Sequence, residues 1–315
     1  MISERYKVVI LSILFVFLWS SGWIGSKFAL GYTGTFSLLM WRYIFVVATL
    51  LVLVNLFKAW RPIDKNQFLS HALVGILSHA VYLSASLSSM NLGVSVGLVA
   101  FVLALQPMLT AATSSPFTGE VVTPRQWVGL GLGLLAVLLV VGDRLSLGGS
   151  WVAYSLLLIS IFGITLATLI HRKLEIANQQ NKRPPLPILL ILLIQCSATA
   201  IFLIPLSAYF EGFQIKWERP LFFAIFWLGW VVTLGAYGLM FVLLRMIPTT
   251  KVSCLMYLSP PATMLIAYFV FDEKLIMIDV VGLIIASIAV WIVSVQNTEI
   301  ITERKTLSPK GKIID

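Results

Sequence analysis

Ten stretches of this chain are each long enough and apolar enough to cross a bilayer: residues 7–27, 35–57, 68–89, 93–115, 125–142, 150–170, 187–209, 221–243, 249–270 and 277–296. At 1.5 Å per residue, about 20 residues match a hydrocarbon core about 30 Å thick. Lipid offers no hydrogen-bond partners, so a span of this length must satisfy its backbone internally, as a helix. The expected fold class is therefore an all-α membrane protein with ten transmembrane helices. Ten divides into two sets of five, and an odd number of crossings turns the second set upside down relative to the first.

Composition enters as a check. The chain is 59% hydrophobic and 11% charged, with a mean hydropathy of +0.97, too few charges to clothe a soluble protein of this size. The two longest polar stretches, 171–185 and 297–315, read as a linker and a frayed tail. Arg5 and Lys7 precede the first span like a signal-peptide n-region, but its apolar run is long and no A-x-A site follows, so an uncleaved helix is expected. Cys196 and Cys254 both fall inside spans and read as buried thiols.

The net charge of +9 would suit a nucleic-acid partner, but the positions of the charges argue against one. With the N-terminus inside, sixteen of the 22 Lys and Arg fall on cytoplasmic segments; five, Lys27, Arg144, Lys216, Arg219 and Lys274, fall on outer ones. Positive-inside bias accounts for the basic balance and puts both termini in the cytoplasm.

A duplication is visible residue by residue. Pro107, Glu120 and Gly129 recur as Pro260, Glu273 and Gly282 at a constant offset of 153, and Thr110, Val128 and Ala136 match Thr263, Val281 and Ala289. With five helices per half, Glu120 is expected on the cytoplasmic side and Glu273 on the outer side. That is an inverted-topology repeat, an architecture of secondary transporters. The expected units are residues 1–148 and 149–296, each a five-helix repeat, followed by a cytoplasmic tail, 297–315.

Three features carry a resemblance to a known family: W-S-S-G at Trp19–Gly22, W-R-Y at Trp41–Tyr43, and the paired P-x12-E…G segments. With them the chain resembles the EamA-type branch of the drug/metabolite transporter superfamily over about residues 7 to 296. It departs from the pattern at Pro116 and at the doubled Pro260-Pro261. The resemblance implies two inverted repeats around a central cavity, export of small metabolites, amino acids among them, and residence in a bacterial inner membrane.

Arg42 is the sharpest single residue. It lies about seven residues into the second span, roughly 10 Å below the outer boundary. A guanidinium in hydrocarbon needs a partner or water, so it either holds a substrate carboxylate or snorkels to the headgroups. Trp19, Trp23 and Lys27 share one helix face. Trp19 is deep enough for the cavity, whereas Trp23 and Lys27 fit an interfacial belt.

Polar stripes recur on other helices: His79, Tyr82, Ser86 and Ser89; Gln106, Thr110 and Thr113; Trp230, Thr233 and Tyr237; Thr249, Ser253 and Tyr257. They read as a shared lumen, against the alternative that Ser and Thr merely join helices. The cavity candidates are thus Trp19, Arg42, His79, Tyr82, Ser86, Gln106, Thr233, Tyr237, Ser253 and Tyr257. Pro107 and Pro260 are expected to kink their helices. Glu120 and Glu273 are expected at junctions, capping the helix that follows.

The chain lacks H-E-x-x-H, G-x-S-x-G, a Walker loop and Cys/His metal spacing, so no enzyme, cofactor or metal is expected. The reading is a secondary transporter that exports a small organic metabolite such as an amino acid by alternating access. The rivals are an importer or exchanger of a vitamin or nucleotide-like compound, and a membrane-embedded enzyme. The expected partners are the substrate and the lipid bilayer, with no nucleic acid; the protein is expected as a monomer or homodimer.

Overall fold

Helices account for the architecture. The computed structural model describes residues 4–113, 124–146, 150–181, 184–247, 255–256, 258–274 and 276–306. We label the helices α1 (Glu4–Leu30), α2 (Thr35–Leu56), α3 (Lys65–Asn91), α4 (in two pieces, Val96–Leu103 and Gln106–Thr113) and α5 (Pro124–Ser146). The second half holds α6 (Trp151–Gln180), α7 (Ile188–Glu211), α8 (219–246), α9 (Ser259–Phe271) and α10 (Met277–Thr306). Six of these, α1, α2, α3, α6, α7 and α8, are long and apolar enough to cross a membrane; α4, α5, α9 and α10 each contain a shorter apolar helix.

Two polar stretches fold differently from expectation. Residues 171–185 are no simple linker, because α6 runs on to Gln180. No Gly or Pro interrupts the sequence between Gly163 and Pro184, and His171 meets Glu175 one turn later at 3.4 Å. Likewise α10 continues past residue 296 to Thr306. A started helix propagates cheaply until a breaker, and the next one here is Pro309.

The prolines mark breaks. The fourth apolar stretch is interrupted at Ala104–Leu105, and Pro107 falls in the first turn of the second piece. Pro260 likewise falls in the first turn of α9. A proline there removes only an N–H that the helix start leaves unpaired anyway.

The packing pairs one half against the other. α2 lies along α7, α5 along α10, and α4 along α9; α3 packs on α6 and α7, and α8 on α1 and α2. Exchanging the halves, so that α1 becomes α6 and so on, maps this set of pairs onto itself. Gly75 allows the α3–α7 approach: a Cβ there would stand 2.4 Å from the Gln195 carbonyl oxygen. The outer surface is greasy, as on α5 and α10, where Leu134, Leu138, Ile284, Ile288 and Trp291 are all exposed. In water such a surface would aggregate; in lipid it is the correct solvent.

One end of the molecule is tied across the halves. Glu211, at the C-terminus of α7, accepts from the backbone N–H of Phe36 at 2.9 Å and of Ser37 at 2.7 Å, so it caps α2. Gly34 lies beneath that carboxylate, where a Cβ would come within 2.2 Å of Glu211 Cδ. Thr33 and Ile215 form a single antiparallel bridge beside it, with Lys216 N–H donating to the Tyr32 carbonyl at 3.0 Å. Glu273 performs a parallel service. It does not cap the helix that follows it, which takes Asp279 as its acceptor for Ile276 N–H at 3.1 Å. Asp272, in the left-handed conformation at φ 52°, ends α9. The Glu273 side chain reaches the start of α4, accepting from Val96 N–H at 3.1 Å and Gly97 N–H at 3.4 Å, with Lys27 Nζ at 2.5 Å.

Candidate functional site

Arg42 is 6% exposed and points into the protein, so it does not snorkel. Its Nε and Nη2 both donate to Thr233 Oγ1, at 3.2 and 2.9 Å. The Thr233 hydroxyl in turn donates to the Leu228 carbonyl at 2.7 Å, five residues back, which is the spacing of a π-helix. That π segment, Trp227–Ala236, lies in α8; a second, Ile76–Val81, lies in α3, the corresponding helix of the first half. The second segment carries His79, whose ring lies 5.2 Å from that of Tyr43, the residue after Arg42, tilted by 37°. Irregular helical turns from both halves thus flank one guanidinium.

Thr233 is a neutral acceptor with one oxygen, and Arg carries five donors. Two are spent on Thr233. Among the described residues no carboxylate pairs with Arg42, and the remaining donors face a central cavity of about 980 Å³. Trp19, Trp23, Tyr43 and Tyr82 form its aromatic wall, with Trp23 and Tyr82 edge to face at 6.0 Å. His79 Nε2 is buried with no hydrogen-bond partner, and Gln195 adjoins the same ring. Gln106, bonded to Thr168 at 3.2 Å, adds an amide edge. The cavity continues past His71, His171 and Glu175 to Pro185 and Ile188, the end opposite the ties of Glu211 and Glu273.

Of the residues singled out in the sequence, Trp19, Arg42, His79, Tyr82, Gln106, Thr233 and Pro260 line this cavity together. Ser86 does not. It is fully buried between α3 and α6, bonded to Ser160 Oγ at 2.6 Å and donating to the Tyr82 carbonyl, because small hydroxyl residues let these helices touch. Ser89 likewise bonds back to the Ser86 carbonyl. Trp230 faces outward, 46% exposed, and donates to Thr49 at 2.8 Å. The Tyr237 side chain, Ser253, Tyr257 and Glu120 lie outside the described residues.

Trp23 corrects the interfacial reading in the other direction: it is 8% exposed and belongs to the cavity wall. Lys27, in the last turn of α1, pairs with Glu273 and lies over the ring of Phe271, 4.9 Å away. Sequence reasoning also missed His71, His171, Gln195 and Thr168. His71 and His171 meet across α3 and α6 with ring centroids 6.0 Å apart, and Gln67 donates to Asn178 at 2.8 Å alongside. His71 lies two turns before His79 on the same helix face, a spacing that was available in the sequence.

Comparison with curated proteins returned no match. Several solved chains match, among them a crystal structure that shares the fold with a TM-score of 0.62 at 16% identity, covering 94% of this chain and 99% of its own. The model of the EamA-like transporter family matches twice in succession, over residues 6–142 and 151–295. The chain is an integral membrane protein and belongs to the EamA-like transporter family.

Proposed function

We propose that this protein is a secondary transporter that exports a small organic metabolite carrying an anionic group, by alternating access through the cavity around Arg42. The observation that carries the reading is Arg42 itself: buried, hydrogen-bonded among the described residues to the Thr233 hydroxyl and to no carboxylate, on the wall of a cavity of about 980 Å³. A guanidinium left so in a membrane is costly unless a ligand or water completes it.

Alternating access needs two ends that open in turn. The matched breaks at Pro107 and Pro260, the two π segments and the exchangeable helix pairs support two repeats, 1–148 and 149–296, related by inversion. In this reading ten helices span a bacterial inner membrane with both termini cytoplasmic. On this orientation the ties of Glu211 and Glu273 lie at the outer end, and the cavity mouth past His71 and His171 faces the cytoplasm. Residues 297–315 form the cytoplasmic tail.

The test is an efflux screen: cells overexpressing the chain are loaded with isotope-labelled organic acids, amino acids and amines. Export of an anion-bearing compound faster than in cells carrying an empty vector supports the reading. Accelerated uptake instead would reverse the direction.

A further inference from the structure

Resting on the reading that Arg42 holds an anionic group, we propose that the substrate is a monoanion with an apolar body and no cationic centre, an aryl or alkyl carboxylate rather than an α-amino acid.

The argument is one of charge balance. Among the described residues, Glu175 is the carboxylate on the cavity wall. The other described carboxylates do not line the cavity, and four of them cap helices: Asp64 caps α3, Glu211 caps α2, Glu273 caps α4, and Asp279 caps α10. Of the longer stretches outside the described residues that adjoin cavity-lining helices, 248–254 contains no Asp or Glu in its sequence and 114–123 contains one, Glu120. Glu175 is far from Arg42. Gly163, on the same helix, lies against Leu77 and Val81, which flank His79. Glu175 follows twelve residues later, roughly 18 Å along the axis. In an α-amino acid the ammonium is one carbon from the carboxylate, so with the carboxylate on Arg42 it cannot reach Glu175.

A zwitterion would pair its carboxylate with the Arg42 guanidinium and leave the site with one net positive charge, that of its own ammonium. That ammonium would be buried beside the His79 ring, the Gln195 amide and the Thr233 hydroxyl, with no carboxylate among the described residues at hand. A monoanion cancels the charge and introduces no second one to desolvate. His79 Nε2, buried and without a hydrogen-bond partner among the described residues, offers a hydrogen-bonding edge beside the carboxylate. Trp19, Trp23 and Tyr82 accept the apolar body.

The experiment uses purified full-length protein in detergent and reads thermal stabilisation and binding isotherms for two matched series. One is hydrocinnamate, phenylalanine and phenethylamine; the other is hexanoate, norleucine and pentylamine. The expected result is saturable binding of the carboxylates, at least about tenfold tighter than the matching amino acid, a difference of about 1.4 kcal/mol, with no binding of the amines. Gln195→Glu, which places a carboxylate on the same wall, should abolish the preference and favour phenylalanine. Amino acids binding as tightly as the carboxylates, with both lost in Arg42→Gln, would overturn the inference and leave Arg42 as an anion site. Binding of the amines, or of no compound in either series, would overturn both the inference and the anion reading beneath it.

Discussion

Lys27 Nζ lies 2.5 Å from Glu273 Oε1, joining the first helix of one half to the last loop of the other. The same carboxylate caps α4, so a single side chain fixes three elements at one end of the cavity. Glu273→Gln keeps the shape and removes the charge. The pair is partly exposed, so the loss should be modest, about 1 kcal/mol from ion pair and helix-end charge together. The functional effect should be larger than that suggests. A cysteine at Ser26, buried on the cavity wall just inside the tie, should react faster with an impermeant thiol reagent added outside when Glu273 is Gln. Equal labelling rates would show that this pair does not hold the end closed.

Gly34 and Glu211 should behave as a coupled pair. A Cβ at position 34 has no room under the carboxylate, so Gly34→Ala should lower stability by roughly 1–3 kcal/mol, the usual cost of overpacking. Removing the obstruction with Glu211→Ala should make the double variant clearly less unstable than the sum of the single ones. Thermal unfolding in detergent measures all three, and strict additivity would contradict the contact.

Gly75→Ala tests the α3–α7 approach. The added methyl meets Gln195 backbone atoms rather than a flexible side chain end, so the helices must separate. We expect a loss of more than about 2 kcal/mol, seen as a lower melting temperature. A neutral substitution would mean that the two helices pack less closely than described.

Orientation is tested by single cysteines at Asn181 and Lys216 in a background lacking Cys196 and Cys254. An impermeant reagent added outside should label the Lys216 site and spare Asn181. Reversed labelling would invert the proposed topology and exchange the two ends of the cavity.

Six spans, α1, α2, α3, α6, α7 and α8, were legible in the sequence because burying a backbone in lipid imposes a long apolar run. The break near Pro107 was legible for a similarly local reason. The partner of Glu273 was not. Spacing shows a carboxylate at a helix junction, but which N–H groups it meets depends on how α9 lies against α4, 177 residues away in sequence from Val96. Trp23 and Ser86 failed in opposite directions for the same reason: a helix face is visible in the sequence, but what that face meets is not. Trp23 turned to the cavity, and Ser86 to α6. The π segments left no signal, since one added residue per turn changes no composition.

The account rests on Arg42, and its most direct test is efflux normalised to folded protein in the membrane for wild type, Arg42→Lys and Arg42→Ala. Lys keeps the charge but cannot present a planar fork of donors, so it should transport at a small fraction of the wild-type rate. Arg42→Ala should be folded, because Thr233 keeps its bond to the Leu228 carbonyl, yet inactive. Wild-type transport by Arg42→Ala would contradict the central claim.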